Sequence, residues 1–340
     1  MKTFKLLFLF TSVLTVCSCG QIRRYTDLSN IDCTPPIFVS FSQPDTKTAV
    51  FSFNESIDKN LSSVNINPES SDYETIYLND QIVIEFSEDT VPGLEYTFEA
   101  EIYDNYSNCL YVLYPFFGYN PGLPIAVINE FTSQGSSSHP DIAEIYVKEG
   151  GNTAGMTIFE GTSEQFDSYF VFPDLEVNPG DYMLIHFRPQ GIDDEVNETE
   201  NTDDSGGIDS SDSAWDFWIE GGNGISGNNG VLSLYTSPGG SIIDAVIYSN
   251  RTSESDKKYS GFGSAKFKSQ AEYLFSHDAW SAEEENIRPE DCINPEDSTS
   301  TRSMCRDMMS PDTDSKQDWY ITVTGGSSFG YENSTDVYQP

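Results

Sequence analysis

Residues 125–131 read IAVINEF and residues 141–147 read DIAEIYV, and these two stretches decide the fold of the longer part of the chain. In the second stretch, apolar side chains occupy every other position. The apolar set is Ala143, Ile145 and Val147, and the alternating set is Glu144, Tyr146 and Lys148. Alternation with a period of two is typical of a strand that buries one face and turns the other to water. The pattern therefore predicts a half-buried β-strand.

The segment before residue 122 also consists of short strand-like stretches. They are rich in β-branched and aromatic residues and fall at 36–41, 49–53, 81–86, 96–102 and 110–116. Turn-forming residues separate them at intervals of about ten, a spacing typical of a sandwich. In 81–86 the alternation places Ile82, Ile84 and Phe86 on one face, which we expect to be core.

The sequence 121–124, PGLP, marks a boundary between two such regions. Helical periodicity is scarce, and the best candidate is 278–286 with its three consecutive glutamates. We therefore predict an all-β chain with two β-sandwich domains in tandem.

Residues 91–98, VPGLEYTF, and 102–105, IYDN, resemble the late strands of bacterial Ig-like domains. Pro92 and Gly93 supply the backbone geometry that a turn at this position needs. The resemblance implies an immunoglobulin-like domain over 33–122, of a kind that usually acts as a spacer or an adhesive module.

The region 123–335 resembles the lamin-tail domain. The matching pieces come in the order of that family and are 125–131, 141–147, 170–173, 177–182, 232–235, 243–248, 302–306, 312–313, 318–319, Gly330 and Asn333. The resemblance implies a second immunoglobulin-like β-sandwich. It also implies an exported or membrane-associated protein, since bacterial members are commonly appended to such proteins.

The N-terminal residues have the pattern that is expected of an export signal. Two lysines precede the uncharged, mostly apolar run 6–16, which is too short to span a bilayer because a span takes about 20 apolar residues. The run closes on 16–20, VCSCG, which resembles the lipobox of bacterial lipoproteins. The resemblance implies that a cysteine is diacylated and becomes the mature N-terminus.

Cys19 is the predicted lipidation site, because Ser18 is the small residue beside the cut and Val16 the branched residue at minus three. Cys17 is the alternative, and an ordinary signal peptide is a second alternative. The prediction gives a signal peptide over 1–18 and a tether over 19–32. It places the protein in the bacterial cell envelope, lipid-anchored, at the outer membrane or cell surface.

The chain is strongly acidic. The full sequence has 17 basic and 55 acidic side chains, and removal of Lys2 and Lys5 with the signal leaves a formal charge of −40. Such a surface repels phosphate backbones, so nucleic-acid binding is excluded as a function class. We expect a membrane contact through the acyl chains and a partner that is an envelope protein or a glycan.

The acidity is concentrated in an insertion at about 189–217, where the chain departs from the lamin-tail pattern. With no apolar period before Trp215, we expect a mobile surface loop. Its carboxylates could alternatively surround Ca²⁺, which takes six to eight oxygen ligands, although the spacing is not that of an EF-hand. The candidate calcium ligands are Asp203, Asp204, Asp209 and Asp212.

Two further sets of residues are candidates. Trp215 and Trp218 border the insertion, where aromatic rings could contact a sugar or a protein partner, core packing being the alternative. Four cysteines remain for disulfides in an exported protein, and three pairings are possible. The pairing that respects the domain division is Cys33 with Cys109 and Cys292 with Cys305.

The sequence offers no persuasive catalytic motif. GNGISG at 222–227 has the glycine spacing of a dinucleotide site, but a strand-like stretch follows where a helix is needed. We therefore predict a non-catalytic, lipid-anchored envelope protein that acts as a binding, adhesion or spacer module, with no cofactor. The alternatives are an envelope hydrolase that uses paired carboxylates on glycans, and a calcium-dependent adhesin.

Overall fold

The computed structural model describes residues 32–68, 72–307 and 312–340. The predicted signal peptide and both candidate lipidation sites, Cys19 and Cys17, lie outside these ranges. Within them the chain folds mainly into β-strands, with one α-helix and two short 3₁₀ turns. Among the described residues, no helix has the length and apolarity needed to cross a membrane. The predicted all-β class is confirmed.

Seven strands form the first pair of sheets. They are β1 (Phe38–Asp45), β2 (Thr48–Phe53), β3 (Ser63–Asn67), β4 (Tyr73–Leu78), β5 (Gln81–Phe86), β6 (Glu95–Tyr103) and β7 (Cys109–Phe117). One sheet has the order β1-β2-β5-β4 and the other β3-β6-β7. The sequence predicts five of these strands and misses β3 and β4.

A hydrophobic cluster joins these two sheets. Phe51 of β2 stacks on Phe98 of β6 with ring centroids 3.7 Å apart, and both side chains are fully buried. Ile82, Ile84 and Phe86 are buried in the same cluster, so the predicted core face of β5 is confirmed.

The second group of sheets begins at β8 (Ile125–Phe131). The following strands are β9 (Ile142–Glu149), β10 (Gly151–Asn152), β11 (Thr157–Thr162), β12 (Gln165–Val171), β13 (Glu176–Val177), β14 (Tyr182–His186), β15 (Trp215–Trp218), β16 (Asn229–Tyr235), β17 (Ile242–Ser249), β18 (Met304–Arg306) and β19 (Trp319–Ile321). A six-stranded sheet has the order β15-β14-β9-β8-β18-β19, and a four-stranded sheet has the order β12-β11-β16-β17. β10 pairs with β13.

The main core lies between the six-stranded and four-stranded sheets. Ile145 and Ile185 of the first sheet and Leu234 and Val246 of the second are all fully buried in one cluster. Each such aliphatic side chain contributes about 1.5–3 kcal/mol when it is removed from water. The two stretches that open the sequence analysis, β8 and β9, pair at the centre of this sandwich.

The α-helix, α1 (Ala265–Ser276), covers one end of this core. Ser264 accepts a hydrogen bond from the backbone N–H of Phe267 and so caps the helix N-terminus. Phe267, Ala271 and Leu274 follow at helical spacing and are buried. The helix predicted at 278–286 is wrong, because the chain leaves helical geometry at Asp278, whose φ is 56°.

Candidate functional site

Two glutamates face each other within the six-stranded sheet. Glu130 on β8 and Glu144 on β9 are direct cross-strand partners, and each is 0% exposed. Like charges in such a pair destabilise a sheet, and a buried carboxylate is costly without hydrogen bonds. Burial raises the pKa of both carboxyl groups, and the charge of Glu130 raises that of Glu144 further. Two such residues at the centre of a sheet require a structural reason.

The reason is the C-terminal strap, which we define as residues 325–333. Ser328 donates its backbone N–H and its hydroxyl to Glu130, at 2.9 and 2.7 Å. Gly330 donates its N–H to Glu144 at 2.6 Å. The strap therefore covers the face of β9 that the sequence pattern assigns to water, and the expected exposure of Glu144 is wrong.

An asparagine pair fixes the end of the strap. Asn129 and Asn333 exchange two amide hydrogen bonds, of 2.8 and 2.9 Å. Asn129 also donates to Glu144 at 2.6 Å, and Asn333 donates to the carbonyl of Arg306 at 2.8 Å. Because each bond joins residues that are buried, the strap is held to the core by groups that water does not reach.

The acidic insertion is also held by its own carboxylates. Glu195 accepts backbone N–H bonds from three residues at 190–192. Glu198 is 1% exposed and accepts from the backbone N–H groups of Ser205 and Asp216, at 2.9 and 2.7 Å. Within the described part of the chain, the insertion has no helix or strand before Trp215 and is held by side-chain-to-backbone bonds, and its predicted mobility stays a prediction.

A histidine attaches the insertion to the sheet. His186 of β14 donates from Nε2 to Asp216 of β15 at 2.6 Å, with both side chains buried. The other Asp216 oxygen accepts from the backbone N–H of Ser211 at 2.8 Å. The Trp218 ring stacks on His186 at 3.7 Å and donates from Nε1 to Ser205 at 3.0 Å. These contacts set the position of Ser211 at the surface.

The strap, the insertion and the loop after β8 together enclose a cleft of about 600 Å³. We call it the strap cleft. Its walls come from 132–142, 209–212, 300–301 and 325–331. Hydroxyl groups line it at Thr132, Ser210, Ser211, Ser300, Thr301 and Ser327, carboxylates at Asp209 and Asp212, an imidazole at His139, and rings at Phe329 and Tyr331.

Two contacts join the walls of the strap cleft. His139 Nδ1 and Asp209 Oδ1 are 3.0 Å apart at its rim. Gly330 has a φ of 81°, and a Cβ atom there would lie 2.4 Å from Ser211 Oγ. Only glycine fits this crossing of the strap and the insertion. The cleft volume is within the range of about 300–1,000 Å³ that is usual for small-molecule sites.

The structure places the sequence-predicted site residues in several different surroundings. Asp209 and Asp212 line the strap cleft. Asn201 Nδ2 donates to Asp204 Oδ2 at 3.4 Å. Trp218 is 6% exposed and Trp215 is half-buried against the core. Trp218 is therefore a packing residue, and the exposed ring beside the insertion belongs to Tyr331.

In the described part of the chain, carboxylate oxygens come within 4.8 Å of one another in two sets of three. These are Asp32, Glu55 and Asp104, and Asp244, Asp312 and Asp314. The aspartates predicted to bind calcium are in neither set, and calcium binding at 203–212 stays a prediction. The second set surrounds the guanidinium of Arg306, which is 2.9 Å from Asp244. That cation already supplies the positive charge there.

The cysteines occupy contrasting positions. Cys33 and Cys109 are exposed, and their predicted pairing stays a prediction. Cys292 and Cys305 are buried thiols, and the described structure does not form the predicted bridge between them. Their surroundings give the reason: Cys292 Sγ is 3.6 Å from the carbonyl of Arg288, whereas Cys305 Sγ is 3.6 Å from the hydroxyl of Ser303.

Sequence reasoning missed the strap and the residues that hold it. The signal for Glu144 was the acidic residue itself, which lies between the apolar residues Ala143 and Ile145. The sequence contained no signal for Tyr331, because a single tyrosine in a sequence indicates neither how exposed its ring is nor which residues lie opposite it in the fold.

The fold and this cleft define an all-β sandwich protein with a surface cleft. A family model described as "TP_1001_2nd: protein second domain" matches residues 124–321, which is more than half of the chain. The chain belongs to this family.

Other comparisons add little. No curated protein matches the sequence. Among solved structures, a crystal structure of the S-layer protein rSbsC aligns at 11% identity with a TM-score of 0.22, over 64% of this chain and 41% of that one. The chain thus covers less than half the length of that protein. A TM-score this low establishes no shared fold, so we transfer nothing from it.

Proposed function

We propose that this chain is a lipid-anchored protein of the bacterial cell envelope that acts as a non-catalytic binding or spacer module. The observation that carries the binding role is the strap cleft, whose walls are held by buried hydrogen bonds before any ligand arrives. Preorganised walls reduce the entropy that a site loses on binding.

The anchor rests on the sequence at 16–20. Acyl chains contribute about 0.8 kcal/mol for each buried methylene, so several chains together hold a protein at a membrane. The high negative charge gives the body no affinity of its own for anionic lipid surfaces. We therefore place the body in the water outside the bilayer, at the outer membrane or cell surface.

We also propose that 33–122 and 123–335 are separate domains, the first Ig-like and the second related to the lamin-tail domain. Two separate hydrophobic clusters support this division. One is built from residues between 49 and 116, and the other from residues between 126 and 319. A domain with its own core can act as a rigid spacer.

The proposal of a non-catalytic role is supported by the hydrogen bonding and burial of two ionisable pairs, Glu130 with Glu144 and His186 with Asp216. The carboxylate oxygens of Glu130 and Glu144 accept hydrogen bonds from the strap. The His186–Asp216 pair has side-chain exposures of 2% and 0%. A general acid or base must reach the proton that it transfers, and a substrate does not reach these groups.

Mass spectrometry of the native N-terminus tests the anchor. The intact protein is expected to begin at an acylated Cys19, and Cys19→Ser is expected to leave it unacylated. Cys17→Ser is the matched control, since it changes a neighbouring cysteine and should leave the acylation intact. An unmodified N-terminus, or acylation lost in Cys17→Ser and kept in Cys19→Ser, would refute the proposed site.

Crosslinking of the intact protein in its own envelope, followed by capture, tests the binding role. One stoichiometric protein or glycan is expected. Loss of the captured partner in a variant with substitutions in the strap cleft would show that the partner binds at that cleft. Capture of nothing in stoichiometric amount would leave a plain spacer and refute a binding module.

The alternative envelope hydrolase has one specific observation in its favour. Burial raises the pKa of Glu160 to about 7, which suits a general acid at neutral pH. Glu160 lies in a second cleft of about 450 Å³ beside the exposed rings of Phe166 and Tyr169. Turnover of an envelope glycan that Glu160→Gln abolishes would establish this function, and its absence would leave the binding module.

A further inference from the structure

We propose that the strap cleft binds an uncharged oligosaccharide. This inference rests on the proposed function, because it names the ligand class of a binding module. Three properties of the cleft lead to it: its hydroxyl lining, its exposed ring and its charge.

The hydroxyl lining matches a polyol. Six serine and threonine side chains line the cleft, and the four at 210, 211, 300 and 301 are partly exposed. A hydroxyl donates one hydrogen bond and accepts two, and its hydrogen rotates to suit its partner. Such a surface can therefore pair with sugar hydroxyls, which have the same mixed character, whereas an apolar ligand would leave these groups without partners.

The exposed ring supplies the apolar part of the site. Tyr331 is 63% exposed and lines the cleft with Phe329. It lies on the strap one residue after Gly330, whose N–H is bonded to Glu144. The buried carboxylate therefore fixes the backbone that carries the ring, and a sugar ring can pack its C–H face on a tyrosine held in this way.

Charge decides between classes of saccharide. Asp209 and Asp212 are the acidic groups in the lining, and the basic group there, His139, is paired with Asp209. In a chain of net charge −38, this cleft repels uronic acids, sialic acids and phosphorylated sugars. Carboxylates do accept strong hydrogen bonds from neutral sugar hydroxyls.

One hydroxyl in the lining lacks a partner within the protein. Ser327 Oγ is buried from water, and among the described residues no group hydrogen-bonds to it. An enclosed polar atom without a partner is destabilising by about 1–3 kcal/mol. Ser327 lies in the cleft wall, but its Oγ is enclosed, so a ligand hydroxyl would reach it only with a movement of the wall that exposes the atom.

The test is calorimetric titration of the intact protein, held in a detergent without a sugar headgroup. The probes are neutral trisaccharides of glucose, mannose and N-acetylglucosamine, with the galacturonic acid trisaccharide as the acidic comparison. We expect at least one neutral trisaccharide to bind at millimolar concentration or below. We expect the acidic one to bind at least about tenfold more weakly.

Two variants assign the binding to the strap cleft. Tyr331→Ala is expected to weaken it by about tenfold or more, as for other central aromatic contacts. Tyr106→Ala is the matched control, since Tyr106 is 62% exposed and lies outside the cleft, and it should leave affinity unchanged. Far-ultraviolet circular dichroism checks that both variants fold. We expect both to fold, because the two tyrosine side chains are largely exposed.

Three outcomes would overturn the inference. They are no binding of any neutral trisaccharide, equal binding of the acidic one, and equal loss in the two tyrosine variants. A stoichiometric protein captured from the envelope without saccharide binding would refute this inference and leave the proposed function standing. Saccharide binding by a chain whose native N-terminus is unmodified would refute the anchor and leave the cleft assignment standing.

Discussion

Arg306 carries a buried positive charge in the second sandwich. Its removal tests how much the pairing of this charge with buried carboxylates contributes to stability. The side chains of Arg306 and Asp244 are 4% and 2% exposed, and Nη2 of Arg306 lies 2.9 Å from Oδ2 of Asp244. Nε donates to the carbonyl of Ile128 at 2.9 Å. We consider Arg306→Met, which keeps much of the volume and removes the charge.

The expected loss follows from burial. Removal of one partner from a buried ion pair costs about 3–5 kcal/mol, because the other charge is left without compensation. The remaining groups are Asp244, which still accepts N–H bonds from Ile128 and Ala245, and the carboxylates of Asp312 and Asp318, which lie 2.5 and 4.0 Å from Nη1. Those bonds reduce the loss, so we expect the lower half of the range, about 3–4 kcal/mol in the free energy of unfolding.

Urea unfolding followed by tryptophan fluorescence measures this loss. All four tryptophans of the chain are at 215, 218, 280 and 319, so the signal reports the second sandwich alone. The matched control is Lys268→Ala, which removes the more exposed pair with Glu272. That pair contributes at most about 0.5 kcal/mol.

The pH dependence gives a second check on the same variant. Burial raises the pKa of Asp244 to about 6 even beside Arg306, and loss of the guanidinium raises it further. Below that value Asp244 takes up a proton and no longer leaves a buried charge, so the cost of Arg306→Met should shrink at pH 5. A cost below about 1 kcal/mol, or one independent of pH, would refute the view that this pair is desolvated.

Three other predictions concern the interior and the insertion. Because the pKa of Glu144 is raised above its ordinary 4.5, the folded state holds more protons than the unfolded state above that pH. Its contribution to stability is therefore lost as pH rises, and the cost of Glu144→Gln should fall with pH, by up to about 1.4 kcal/mol per unit. Burial raises the pKa of the Cys292 and Cys305 thiols, so iodoacetamide should alkylate them only after unfolding, as read by peptide mass spectrometry. Calcium binding at the insertion predicts calorimetric heat that Asp209→Asn reduces, and no heat at millimolar calcium would remove that prediction.

The strand pattern was readable because burial follows alternation wherever one face meets water. Ile82, Ile84 and Phe86 follow this rule. Glu144 breaks it, since a segment nearly 190 residues further along the chain covers its face. Periodicity describes a strand and its own two faces, and it carries no information about a distant segment that crosses one of them.

The helix prediction was wrong, and the contacts of the insertion were not predicted, for different reasons. For α1, Ser264 and the spacing of Phe267, Ala271 and Leu274 gave a local signal that the acidic run at 283–285 obscured. For the insertion, composition indicated a mobile surface loop and did not show that Glu195 and Glu198 accept hydrogen bonds from backbone N–H groups. Composition counts carboxylates without revealing which of them find donors.

The walls of the strap cleft are held mainly by hydrogen bonds inside the protein, and some of the groups that face its opening take no part in those bonds. Glu130, Asn129 and Asp216 hold the frame, while Ser300 and Tyr331 merely face the opening. Substitution of these facing residues one at a time should therefore leave the buried hydrogen bonds of the frame intact. Variation at these positions would therefore change the chemistry of the proposed binding surface while the architecture stays intact.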